Sequence, residues 1–204
     1  MDKLLIMTLS VIVAGLSVTA HDVAAQNSSE RAAKMDKWHQ EMAEFRARSE
    51  HDRQLAALAD SLAYVQAAAA VRNQDFVLEA DNVSFKNGMT TFVNSSTNFI
   101  SVKGNRAVVQ ISPSNFASGP NGLGGVTVDG MITGQKIMTD KKGRTTFSMN
   151  VMGIGINAEV EIYMTPGTNR ATATVYPNFN SNTVWLDGTI VPYDSSDVIE
   201  GSSL

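Results

Sequence analysis

The chain has 204 residues, of which 43% are hydrophobic and 18% charged, and its net charge at pH 7 is -4. This composition can bury a core, and the length suits one domain of about 100–150 residues with extensions. The negative balance argues against nucleic-acid binding and against a polybasic membrane-surface protein, because both need a basic face. The chain has no cysteine, which excludes disulfides, thiolate chemistry and a lipid-bearing cysteine.

Residues 1–25 have the pattern of a signal peptide. Lys3 supplies a positive charge, the almost uninterrupted apolar stretch Leu4–Val18 follows, and small residues come next. A stretch of about 15 residues is shorter than the roughly 20 that span a bilayer. Cleavage is expected after Ala25, with cleavage after Ala20 and an uncleaved anchor helix as the alternatives. We therefore predict a periplasmic or secreted protein that begins at Gln26 and has no membrane span after cleavage.

Residues 26–54 are predicted to form a charged amphipathic helical segment, since they contain neither proline nor glycine. Met35, Trp38, Met42 and Phe45 follow one another at intervals of 3, 4 and 3 residues, which places them on one helical face. We call this set the first seam. It is predicted to bind a partner, either an envelope protein or a second copy of the chain. A solvated spacer helix is the alternative.

A second seam of the same spacing follows, and we expect it to dock on the β domain. Its members are Leu55, Leu58, Leu62, Val65 and Ala69. Ten residues separate Phe45 from Leu55, so the two seams are out of phase. Either one long helix changes its apolar face near the charged run 46–53, or two helices meet there.

Residues 55–204 are predicted to be a β domain with its leading helix. Near Asn73 the apolar period changes to two, and the clearest alternation runs over Ile154–Met164. Turn sequences such as Asn87-Gly88, Gly104-Asn105 and Pro166-Gly167 separate the segments. The pattern predicts a mainly β fold of eight or nine strands, an antiparallel meander that closes as a barrel or folds as a two-sheet sandwich.

The residues of the β domain offer little for catalysis. From Asp75 onward there is no histidine or cysteine, which removes Ser-His-Asp and Cys-His systems and His- or Cys-ligated zinc. Glu79 with Asp81, and Glu159 with Glu161, are carboxylate pairs of the type that glycoside hydrolases use, but alternation puts charges on a wet strand face by default. We expect no enzyme, no cofactor and no metal, with a carboxylate-dependent hydrolase as the alternative.

Two irregular segments are the candidates for ligand binding. The segment 112–125 contains a glycine-rich stretch without the lysine and following helix of a phosphate loop, and an asparagine-rich turn covers residues 178–182. Long loops at the end of a β scaffold commonly carry binding functions. The predicted ligand-binding residues are Asn115, Phe116, Asn121, Asn178, Asn180 and Asn182.

Several runs of the β domain are similar to one known family. They are Phe76-Val77-Leu78-Glu79-Ala80-Asp81, Thr97-Asn98-Phe99-Ile100-Ser101-Val102, Val108-Val109-Gln110-Ile111-Ser112-Pro113, Gly119-Pro120-Asn121-Gly122, Phe147-Ser148-Met149-Asn150-Val151 and Pro177-Asn178-Phe179-Asn180-Ser181-Asn182. Over Leu55–Leu204 the chain resembles exported Bacteroidetes-type proteins known as domain of unknown function 4251. The resemblance implies a periplasmic or surface location and no assigned activity. Many members look like lipoproteins, and this chain departs from them by lacking the cysteine.

The sequence thus predicts an exported, non-enzymatic β module that binds a small molecule, a glycan or an envelope protein. The alternative is a structural or assembly protein of the cell envelope that acts through the N-terminal helix.

Overall fold

The computed structural model describes residues 2–112, 125–154, 157–178 and 183–203, with side chains from residue 31 onward. One α-helix, α1, covers Asp2–Asn73. It ends where Gln74 adopts a left-handed backbone conformation with φ 57°, and the Gln74 amide donates to the Val71 carbonyl. The chain divides into two compact units, Met1–Ala56 and Ala57–Leu204. The first unit is helical, and the second contains the last turns of α1 and the strands.

One stretch of α1 within Arg31–Asn73 has the length and mean hydropathy, 1.2, of a membrane-crossing helix, and 22% of it is buried. This likeness to a membrane-crossing helix rests on length and composition only. A helix that packs on a protein core meets the same criterion, and the last turns of α1 do pack on one.

Nine strands of the described chain form a single antiparallel sheet. They are β1 (Asp75–Phe85), β2 (Thr90–Phe92), β3 (Phe99–Lys103), β4 (Arg106–Ile111), β5 (Val126–Thr139), β6 (Thr145–Gly153), β7 (Asn157–Met164), β8 (Arg170–Pro177) and β9 (Val184–Pro192). The strand order is β2-β1-β3-β4-β5-β6-β7-β8-β9, and β9 also pairs with β1. This last pairing closes eight strands into a barrel and leaves β2 as an extra strand beside β1. The predicted antiparallel meander is confirmed, as a barrel.

The barrel interior is packed with side chains from alternate positions of each strand. Along β6 and β7 the inward residues include Phe147, Met149, Val160 and Ile162, each at most 1% exposed. The rings of Phe76 and Phe147 meet edge to face, with 5.4 Å between their centroids. Large apolar side chains from opposite walls therefore meet across the axis, and the described residues form a core with the character of a solid barrel.

The last turns of α1 close the end of the barrel at which β1 begins. Ala67, Ala68 and Val71 are at most 5% exposed and belong to the same core as the barrel interior. The Tyr64 hydroxyl donates to the carbonyl of Gly143, in the turn between β5 and β6, at 3.1 Å. Small side chains on this face let the helix approach the strand ends closely.

The expected docking of the second seam is wrong. Its large members are exposed: Leu55 by 53%, Leu58 by 62%, Leu62 by 65% and Val65 by 58%. The face that packs is instead the one that carries Tyr64, Ala67, Ala68 and Val71.

One predicted strand is shorter than its alternation indicates. The sequence places it at Ile154–Met164, whereas β7 covers Asn157–Met164. Ile154 lies in a bend and is 87% exposed, so its expected inward position is wrong, and residues 155–156 lie outside the described chain. The predicted turn glycines are confirmed, since Gly88, Gly104 and Gly167 all have positive φ.

The C-terminal segment 193–201 covers an apolar patch on the outside of the barrel. Val77, Phe99 and Val108 point outward from β1, β3 and β4, yet each is at most 2% exposed. They pack with Tyr193 and Val198 of the C-terminal segment. The barrel wall between β1 and β4 therefore has apolar cover on both faces.

Gln110 fastens this segment to the barrel. Its side chain is fully buried, and its Nε2 donates to the carbonyls of Thr97 at 3.0 Å and Ile199 at 2.8 Å. Its Oε1 accepts from the Thr127 hydroxyl at 2.9 Å and from the Gly201 amide at 2.7 Å. The four partners of this buried amide are three backbone groups and one neutral hydroxyl, so both its donor and its acceptor atoms are satisfied without a charge.

Candidate functional site

The first seam forms an exposed apolar face on α1. Met35 is 53% exposed, Trp38 51% and Phe45 66%, and Met42 is half-buried. The Trp38 ring touches His39 edge to face, with 5.0 Å between centroids. Exposing several large apolar side chains in a row on one helix is unfavourable in water, which makes the first seam a candidate interaction surface.

Charged side chains flank the seam. Lys37 and Glu41 form an exposed i, i+4 pair at 3.8 Å, and Glu44 with Arg48 forms another at 3.8 Å. Pairs of this kind contribute only about 0.3–0.5 kcal/mol each, so their charges remain available to a partner. The helix thus presents an apolar stripe between ionic rims.

The seam has the spacing of coiled-coil heptads. If Met35 and Met42 occupy position a, Trp38 and Phe45 occupy position d, which face a partner helix in a two-stranded coiled coil. The second seam repeats this spacing from Leu55, after a phase change of the apolar face. The predicted contact of the second seam with the β domain is wrong, and the partner contact of the first seam stays a prediction.

Of the other predicted binding residues the structure describes Asn178, which follows β8 at the end of the barrel opposite the helix. The connections between β4 and β5 and between β8 and β9 both join strands at that end. Asn178 is exposed there. The backbone amide of Asn178 donates to the backbone carbonyl of Asn157 at 2.9 Å, and the side-chain Oδ1 of Asn178 accepts from the backbone amide of Asn157 at 3.0 Å. This pairing ties the end of β8 to the start of β7 and occupies one side-chain atom that the sequence assigned to a ligand.

The remaining predicted ligand-binding residues, Asn115, Phe116, Asn121, Asn180 and Asn182, lie outside the described residues.

Three of the four carboxylates in the pairs of the sequence analysis, those of Glu79, Asp81 and Glu161, have side-chain partners of their own. Glu79 accepts a hydrogen bond from the Ser196 hydroxyl at 2.6 Å, and Asp81 pairs with Arg170. Glu161 accepts from the Tyr163 hydroxyl at 2.8 Å, and this hydrogen bond raises the pKa of Tyr163. Among the described residues, no group of three or more histidine, aspartate or glutamate side chains could hold a metal ion.

These features define a closed eight-stranded antiparallel barrel with one added strand and a helix across one end. The chain belongs to the family described as Domain of unknown function (DUF4251), whose model matches residues 59–190. The predicted resemblance is confirmed. The match leaves out the first seam and the C-terminal segment.

A solved structure supports both the fold and the family. The crystal structure, at 1.95 Å resolution, of a DUF4251 family protein from Bacteroides eggerthii DSM 20697 is similar to this chain with a TM-score of 0.62 and 47% sequence identity. The similarity covers 69% of this chain and 95% of that one. No curated protein matches the chain.

Proposed function

We propose that the protein is exported, has no enzymatic activity and assembles in the cell envelope through its helix, with the barrel as a folded head. The exposed first seam is the observation that carries this proposal. The signal-peptide pattern of residues 1–25 supports export, and the solid barrel core supports a head that holds its shape rather than enclosing a ligand.

The partner that best fits the seam is a second copy of the chain. Methionine and aromatic side chains at positions a and d would meet their own counterparts in a parallel pair of helices. In that arrangement Glu41 at position g lies beside Arg46 at position e of the second helix, one heptad further along. These opposite charges favour a parallel homodimer and bring no like charges together at this layer.

Replacing Met42 and Phe45 with aspartate should separate the dimer. Burying each of these side chains contributes about 1.5–3 kcal/mol, so the dissociation constant should rise by roughly 100-fold or more. Sedimentation equilibrium of the chain from Gln26 onward measures it. Ala43→Asp with Ala47→Asp is the matched control, because these exposed positions lie away from the seam and should leave the dimer intact.

The interhelical pair of Glu41 with Arg46 tests whether the two helices of the dimer are parallel. Glu41→Arg should weaken the dimer by repulsion, and Glu41→Arg combined with Arg46→Glu should restore it. A chain that is monomeric at every concentration contradicts the proposal. If the double variant does not restore the dimer although the Met42 and Phe45 aspartate variant still separates it, only the parallel arrangement is contradicted.

A second candidate function is ligand capture at the end of the barrel opposite the helix. Its support is the strand order, because the end of β4, the start of β5, the end of β8 and the start of β9 all lie at that end of the barrel. Deleting residues 119–124 should remove a co-purifying small molecule from native mass spectra of the protein while the thermal midpoint stays nearly unchanged. The same ligand on both proteins would contradict this candidate.

A further inference from the structure

A groove of about 780 Å³ opens on the barrel beside the turn between β5 and β6 and the turn between β7 and β8. Its lining includes Met138, Arg144, Thr146, Tyr163 and Pro166. The volume falls within the roughly 300–1,000 Å³ of small-molecule sites. None of the residues that line it belongs to the first seam or to the predicted ligand-binding set.

An aromatic and apolar surface lies along the groove. Tyr163 projects outward from β7 and is 46% exposed, and Met138 of β5 is 53% exposed. Tyrosine combines a flat apolar ring with a polar tip, which suits a ligand that has both apolar and hydroxyl-bearing faces.

Hydroxyl groups make up much of the remaining wall, because five of the lining residues are threonines: Thr139, Thr145, Thr146, Thr165 and Thr172. Thr145 is only 6% exposed and its hydroxyl shares a 3.1 Å hydrogen bond with that of Thr139, so the other four threonines are the ones that a ligand can reach. The Thr172 hydroxyl donates to Asp187 at 2.6 Å, which leaves its oxygen lone pairs as acceptors. Such a wall can both donate to and accept from hydroxyl groups of a ligand.

The two charged residues that line the groove, Arg144 and Asp140, have opposite charges, so the lining is neutral. Arg144 Nε donates to Asp140 Oδ2 at 2.7 Å, so the cation and the carboxylate offset each other. Nearby, Glu161 accepts the Tyr163 hydroxyl and Asp187 accepts Thr172. Because the lining is neutral, it offers an ionic ligand no unpaired counter-charge, and a purely apolar ligand would remove the hydroxyl groups from water without replacing their hydrogen bonds.

We propose that this groove binds a neutral oligosaccharide. The Tyr163 ring covers the C–H face of a sugar ring, and the threonine hydroxyls with the Arg144–Asp140 pair take up its hydroxyl groups. Charge-assisted hydrogen bonds from a paired arginine and aspartate suit neighbouring sugar hydroxyls, which both donate and accept.

Saturation-transfer NMR and calorimetry with maltohexaose, cellohexaose, xylohexaose and fully N-acetylated chitohexaose test the proposal on the unaltered chain. At least one of these neutral sugars should bind. Tyr163→Ala should weaken that binding by about tenfold, while Tyr163→Phe keeps the ring and most of the affinity. Arg144→Ala should also weaken binding, and it leaves in place the hydrogen bonds that the backbone amides of residues 142 and 144 donate to the Asp140 carboxylate.

Tyr176→Ala is the matched control, since Tyr176 is 42% exposed on neighbouring β8 and is not among the groove residues. It should bind the sugar as the unaltered protein does. The proposal is overturned if none of the four sugars binds, if Tyr176→Ala weakens binding as much as Tyr163→Ala, or if hexagalacturonate binds more tightly than every neutral sugar.

Discussion

Replacing Gly188 with alanine should destabilise the barrel by about 3 kcal/mol or more, because the new methyl group would occupy the space of another strand's backbone. Gly188 of β9 lies opposite Ala80 of β1, at the pairing that closes the barrel. A Cβ at this position would lie 1.9 Å from the Glu79 carbonyl oxygen and 2.8 Å from Ala80 Cα. Neither atom can move aside without opening the ladder. Urea denaturation followed by circular dichroism gives the free energy of unfolding.

Gly88→Ala is the matched control for this substitution. Gly88 lies in the turn between β1 and β2, has φ +83° and would meet nothing within 4 Å of an added Cβ. Its cost comes from the left-handed backbone alone and should be about 1 kcal/mol. If the two alanine variants lose the same free energy of unfolding, β1 and β9 do not approach each other as closely at Gly188 as this structure has them.

The same glycine explains why the sequence could predict strands but not closure. The change of period near Asn73 locates the start of β1, and alternation identifies which residues share a face. Alternation does not identify the neighbouring strand, so barrel and sandwich fit it equally. A glycine inside a strand pattern is a signal of close backbone approach, and Gly188, together with the irregular register between Ala80 and Asn82, marks the place where the sheet closes.

The packing face of α1 was mispredicted for a related reason. Apolar spacing selects a face by the size and hydrophobicity of its residues, and Leu55, Leu58 and Leu62 dominate that pattern. The end of the barrel instead accepts alanines, because the helix must come close to the strand ends to cover them. Which face of α1 is buried depends on the space between the helix and the strand ends, and a single sequence does not reveal that distance.

The candidate sites differ in how far the sequence could find them. The first seam is visible in the spacing of Met35, Trp38, Met42 and Phe45, and their exposure completes the argument. The groove beside Tyr163 was missed, because its residues come from separate strands that only the barrel register brings together. The available signal was the number of threonines and tyrosines at outward positions of β6, β7 and β8.

Removing residues 193–204 should cost roughly 4–6 kcal/mol, the sum of exposing an apolar patch and of stranding a buried amide. Val77, Phe99 and Val108 lose their cover, and Gln110 loses its contacts with Ile199 and Gly201. Alternation alone assigns these outward positions to solvent, so the loss measures what the C-terminal segment adds to the barrel. Urea denaturation measures the loss in free energy of unfolding, and binding of a hydrophobic dye detects the newly exposed apolar patch.

Two substitutions separate the contributions of the C-terminal segment. Ile199→Ala should change the free energy of unfolding by less than about 0.5 kcal/mol, since that side chain is 56% exposed and Gln110 contacts only its backbone carbonyl. Gln110→Ala should cost about 2–3 kcal/mol, because it leaves the Ile199 carbonyl and the Gly201 amide without their buried partner. A truncated chain as stable as the full one would show that the patch is stable without cover, and the outer wall of β1, β3 and β4 would then be a further apolar surface open to a partner.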